Sequence, residues 1–114
     1  MTKREQLKEL IWYIATNHPR KLAMTKLWKL CFFSEADFYE SFSERLTTGI
    51  YIKNRFGPTP EWKIAETLIT QMKDEGLLIE SNGFYVGSGD LKLKNLDLQY
   101  RAKIKVPACF IIES

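Results

Sequence analysis

Apolar side chains recur at helical spacing early in the chain and at alternate positions near its end. Leu7, Leu10, Ile11 and Ile14 fall at i, i+3, i+4 and i+7, so a helix over 3–17 carries them on one face. Trp12 and Tyr13 widen that band. Thr2 and Glu5 form a T-x-x-E capping box at its start. Asn17-His18-Pro19 ends it, because the residue before a proline avoids the helical region. Residues 20–24 read as a connector bearing Arg20 and Lys21. A second helix is expected from Thr25 to Phe42, with Leu27, Trp28, Leu30, Cys31, Phe32 and Phe33 nearly all the way round it. A helix of that kind is surrounded by other elements rather than laid on a surface.

The polar stretch Ser41 to Thr48 predicts a loop anchored by Leu46. Gly49 to Phe56 predicts an extended segment, with Ile50 and Ile52 on one side and Tyr51, Lys53 and Arg55 on the other. Gly57-Pro58-Thr59-Pro60 predicts a turn into a helix, with Thr59 as N-cap and Pro60 at the first helical position. That helix, 60–75, aligns Trp62, Ala65, Ile69 and Met72, with Leu68 beside them, and Gly76 caps its end. Leu77 to Val86 reads as a β-hairpin turning at Asn82-Gly83. Gly87-Ser88-Gly89-Asp90 reads as a flexible connector. Strict alternation over 96–106 predicts a long strand ended by Pro107, followed by a short apolar tail at 108–112. The order implies an α+β fold in one domain, 1–114. A central buried helix stands in a mainly helical N-terminal part, followed by a winged-helix-like hairpin and a β extension over 90–114.

The 114 residues are 45% hydrophobic and 27% charged, enough for a packed core and unlike a disordered chain. A net charge of +3 permits an acidic partner without implying one. Cys31 and Cys109 are far apart and sit in apolar surroundings, which reads as two buried thiols and no zinc site. No signal-peptide pattern and no membrane-length apolar run is present, so a cytoplasmic location is expected.

Lys26 and Lys29 share one side of the central helix and can meet acidic groups on a partner, or simply face solvent. Tyr51, Lys53, Arg55 and Phe56 are the candidates for surface contact, since Tyr and Arg anchor many interfaces. The competing reading has Tyr51 and Phe56 covering the central helix. Gly57 and Pro58 are either a recognition loop or only a rigid corner. Trp28 and Trp62 read as core. His18 is the single histidine, with no nucleophile pattern around it. Glu35 with Asp37, and Asp74 with Glu75, do not face each other on a helix, and no phosphate-binding glycine motif occurs. Nothing here points to catalysis.

Two motifs in order carry a family resemblance. Lys26-Leu27-Trp28-Lys29-Leu30-Cys31-Phe32-Phe33, followed by Asp37-Phe38-Tyr39, is similar to the helix motif of the Panacea domain of SocA-like bacterial and phage antitoxins. Thr48-Gly49-Ile50-Tyr51 and Phe56-Gly57-Pro58-Thr59-Pro60 resemble that family's TGxxYxxxxxGPxP loop. The likeness spans roughly residues 5–80. Phe33-Ser34-Glu35-Ala36 shifts Asp37 by about one position, and a strand pattern replaces the family's C-terminal helices. The resemblance implies an antitoxin that neutralises a toxin encoded next door by direct binding, without a cofactor, or one that acts as a proteolytic adaptor.

A second expectation, a winged-helix DNA-binding regulator, rests on the helix–hairpin order and on basic residues such as Arg20, Lys21, Lys53 and Arg55. Against it, the presumed recognition helix sets Glu61, Glu66, Asp74 and Glu75 against Lys63 and Lys73 alone, and such a face repels phosphate. A protein partner is therefore the leading expectation. DNA and a second copy of the chain are the other partners the sequence admits.

Overall fold

A computed structural model describes residues 2–18, 20–47, 51–55 and 57–94. Helix α1 spans Lys3–Asn17, and Thr2 caps it by accepting from the Glu5 N–H at 3.1 Å. Strand β1 is only Leu22–Ala23, and helix α2 follows at Met24–Phe42. Strands β2, Tyr51–Asn54, and β3, Gly57–Pro60, precede helix α3, Trp62–Asp74. Strands β4, Leu78–Ser81, and β5, Phe84–Gly87, complete the described elements. The fold is α+β, as the sequence implies: three helices with two small antiparallel sheets.

The helical faces are those the spacing picks out. Leu10, Ile11 and Ile14 of α1, Leu27, Trp28, Leu30 and Cys31 of α2, and Ala65, Leu68, Ile69 and Met72 of α3 close one core. Each fully buried Leu or Ile contributes about 1.5–3 kcal/mol over leaving it in water. The first two turns of α2 are wrapped as expected. Beyond them the wrapping is partial, with Phe33 37%, Tyr39 58% and Phe42 42% exposed. Helix α3 ends in a Schellman motif. Leu77 N–H donates to Met72 C=O at 2.8 Å and Gly76 N–H to Lys73 C=O at 3.1 Å, with Gly76 at φ +76°.

Four local expectations change. The connector at 20–24 contains β1, which pairs with β5, so the larger sheet runs β1-β5-β4. Two residues are too short a run for alternation to reveal. Gly57–Pro60 is not a turn but a strand, paired with β2 in the register Tyr51↔Pro60 through Asn54↔Gly57. A two-stranded ribbon is all edge, and edges are where a sheet tolerates prolines. With Thr59 and Pro60 drawn into that ribbon, α3 begins at Trp62, and its N-cap residue, Glu61, makes no side-chain cap bond. The β4–β5 hairpin is as expected: Asn82 (φ 52°) and Gly83 (φ 80°) form the tight turn.

The fourth change is at Gly87, which is a contact point rather than part of a flexible connector. A Cβ there would lie 2.5 Å from Thr16 Cγ2 and 2.8 Å from the Ala15 carbonyl carbon. Just beyond it, Trp12 Nε1 donates to Ser88 C=O at 2.8 Å, and Lys94 N–H donates to the buried Glu9 carboxylate at 2.7 Å. The strand expected at 96–106 and the apolar tail at 108–112 lie outside the described residues.

Gly87→Ala is expected to destabilise the protein by about 1–3 kcal/mol, the typical cost of forcing extra volume into a packed contact. A denaturant midpoint unchanged from wild type would contradict the close approach to α1.

Candidate functional site

Two features stand out around α2: the β2–β3 ribbon, and a pocket beside it. The ribbon's pairing runs out to Asn54 and Gly57, and Arg55 begins the turn after β2. Gly57 has φ +118°, a conformation that side chains other than glycine's resist. The methylene stem of Lys29 runs past it, 3.5 Å (Cε) from where a Cβ would stand. The corner is thus braced by α2.

The sequence candidates separate on this frame. Ile52, Lys53 and Arg55 are exposed along the ribbon, and Lys26 and Lys29 are partly buried on α2. Tyr51 turns inward: it packs against the core, with its ring edge-on to Phe32 at 5.6 Å. The reading in which Tyr51 covers the central helix therefore describes it better than surface contact does. Gly57 is partly buried and Pro58 lies in β3. Phe56 lies outside the described residues, as does the Trp62 side chain, while Trp28 is core.

The pocket was not anticipated. It has a volume of about 450 Å³ and is lined by Phe32, Glu35, Tyr39, Arg45 and Tyr51 among others. Glu35 reaches it because it shares one face of α2 with the buried Cys31 and Phe38, at i−4 and i+3. Asp37, two positions on, is exposed and takes no part in the pocket. The loop after α2 begins with Ser43 in the left-handed region (φ 55°) and brings Leu46 and Thr47 down to burial. Thr47 Oγ1 donates to Glu35 Oε1. Glu35 Oε2 and Tyr51 Oη are both buried, and neither completes a well-aligned hydrogen bond to any described residue, although the phenol and the carboxyl act on each other.

Burial pushes the Glu35 carboxyl above the usual carboxylate range, against opposing pulls from Thr47, from the nearby Tyr51 phenol and, most weakly, from Arg45. Burial likewise raises the Tyr51 phenol, and it raises the Cys31 thiol, to which the Glu35 charge adds. Both stay neutral near pH 7. A dry carboxyl between aromatic rings can hold a proton, or accept a hydrogen bond from a charged donor.

His18 is buried at the end of α1, with Nδ1 2.8 Å from the Arg20 carbonyl oxygen, a local brace for the chain reversal. Among the described residues no cluster of three His, Cys, Asp or Glu side chains could hold a metal ion, and no helix is long and apolar enough to cross a membrane. The chain matches no protein-family model, no curated protein and no solved structure.

The raised Glu35 carboxyl fixes the sign of a pH effect. The folded state holds this proton more tightly than the unfolded chain, so Glu35 costs stability as pH rises from about 4.3 through its folded value. Glu35→Gln removes that cost. Its melting temperature relative to wild type is expected to be higher at pH 8 than at pH 4. A difference that does not change with pH would contradict a buried, protonatable Glu35.

Proposed function

We propose that this protein is an antitoxin-like binding module that neutralises a partner toxin by direct contact through the β2–β3 ribbon and the adjoining side of α2. The observation that carries this reading is the ribbon itself. A braced backbone corner holds Ile52, Lys53 and Arg55 outward, so a partner meets them without a loop having to order first. Ile52, Lys53 and Arg55 fall between the matched residues of the loop that resembles the Panacea domain's. Lys26 and Lys29 add positive charge to the adjoining side of α2. The expected partner is a protein encoded by an adjacent gene. A proteolytic adaptor would use the same surface and add delivery to a protease.

The second reading, a winged-helix DNA-binding regulator, is favoured by one observation: three helices accompany a sheet in the order β1-β5-β4. The outer side of α3 weighs against it, because Glu66, Asp74 and Glu75 are all exposed there. Binding to DNA would weaken linearly in log–log form as salt rises.

Coexpression with the adjacent gene product is the test of the leading reading. A stable one-to-one complex and restored growth are expected. Ile52→Asp with Lys53→Glu and Arg55→Glu should weaken the complex by roughly tenfold to a thousandfold while leaving the melting temperature nearly unchanged. Full affinity in that triple variant, or a neighbour that is neither toxic nor bound, would overturn the proposal.

A further inference from the structure

The pocket at Glu35 lies beside the ribbon but plays no part in the contact just described. Its chemistry is unusually selective. Thr47 donates to one carboxylate oxygen, Oε1, while Oε2 and Tyr51 Oη act on each other without a well-aligned bond, and both keep acceptor lone pairs to offer a guest. Phe32, Tyr39 and Tyr51 supply aromatic walls, and about 450 Å³ is within the range of small-ligand sites. A carboxylate accepts hydrogen bonds and does not donate them, and aromatic faces attract positive charge, so the walls and the acceptor select the same kind of guest.

Geometry narrows the cation further. A guanidinium pairs best with a carboxylate through both oxygens at once, and the Thr47 hydroxyl on Oε1 leaves Oε2 as the more open acceptor. An ammonium is a compact charge with three rotatable donors, and it needs only single acceptors. Arg45 borders the same pocket, but it is exposed and its pull on Glu35 is the weakest of those acting there.

We propose that this pocket receives an alkylammonium group, the end of a lysine side chain on the partner protein, with Glu35 Oε2 and Tyr51 Oη accepting from it and the rings of Phe32 and Tyr39 alongside. The source of the lysine rests on the protein-binding reading; the site does not. The lysine stem would lie against the rings while its charge is neutralised at the floor, so the contact adds selectivity for a basic anchor beside the ribbon's own surface.

The isolated chain, labelled with ¹⁵N, is titrated with n-butylammonium chloride and separately with neutral n-pentanol. Saturable amide shifts at Phe32, Thr47 and Tyr51 are expected with the amine and not with the alcohol. Glu35→Gln should weaken amine binding by roughly tenfold to a hundredfold, and Tyr39→Ala, at a largely exposed ring, by about two- to fivefold. Circular dichroism verifies that both variants are folded. No amine binding to the folded chain, equal binding of the alcohol, or unchanged binding in Glu35→Gln would overturn the site, whether or not the chain rescues growth. If the amine binds through Glu35 but Glu35→Gln leaves affinity for the toxin unchanged, the lysine assignment falls while the antitoxin reading stands.

Discussion

Everything described here depends on covering the apolar first half of α2. Leu27, Leu30 and Cys31 are fully shielded and Trp28 nearly so, which demands neighbours on more than one side. Helix α1 supplies one wall, β1 continues directly into the helix, and β3 lies along another side. The β2–β3 ribbon is therefore more than an appendage. It is short and needs glycine's backbone freedom at position 57, and it persists because it lies against a helix that has to be covered. An isolated two-stranded hairpin is marginal in water; docking on α2 supplies what the ribbon lacks.

The second half of α2 is governed by a different balance. Past Phe33 the helix leaves the shelter of its neighbours, and its inner face changes from Leu and Cys to Ser34, Glu35 and Phe38. A carboxyl on that face is a local conflict, because the charged form is disfavoured by burial and only partly compensated by Thr47. Natural sequences concentrate such conflicts at functional positions. Among the described residues, Glu35 is one such conflict.

Periodicity made the helices legible because each buries one broad stripe, and it made the β4–β5 hairpin legible because Asn-Gly admits one kind of turn. What it missed was decided by contacts distant in sequence. Strand β1 exists because Leu22 and Ala23 find Tyr85 and Phe84, some sixty positions later. Gly57–Pro60 became a strand because β2 pairs with it, overriding the turn chemistry of its glycine and prolines. Tyr51 admits two readings in the sequence, surface contact or cover for the central helix, and its ring against Phe32 favours the second, since a strand sends alternate side chains to opposite faces. Glu35 was legible in principle. Its register with Cys31 and Phe38 places it on the inner face of α2, whereas Asp37, two positions on, points to solvent.

The absence of a side chain at Gly87 has a mechanical consequence. Backbone of β5 meets backbone of α1 there with no cushion between them, and Trp12 ties the next residue to the same helix. The end of this sheet and the first helix must then open together or not at all, and their amides should exchange with solvent as one cooperative unit.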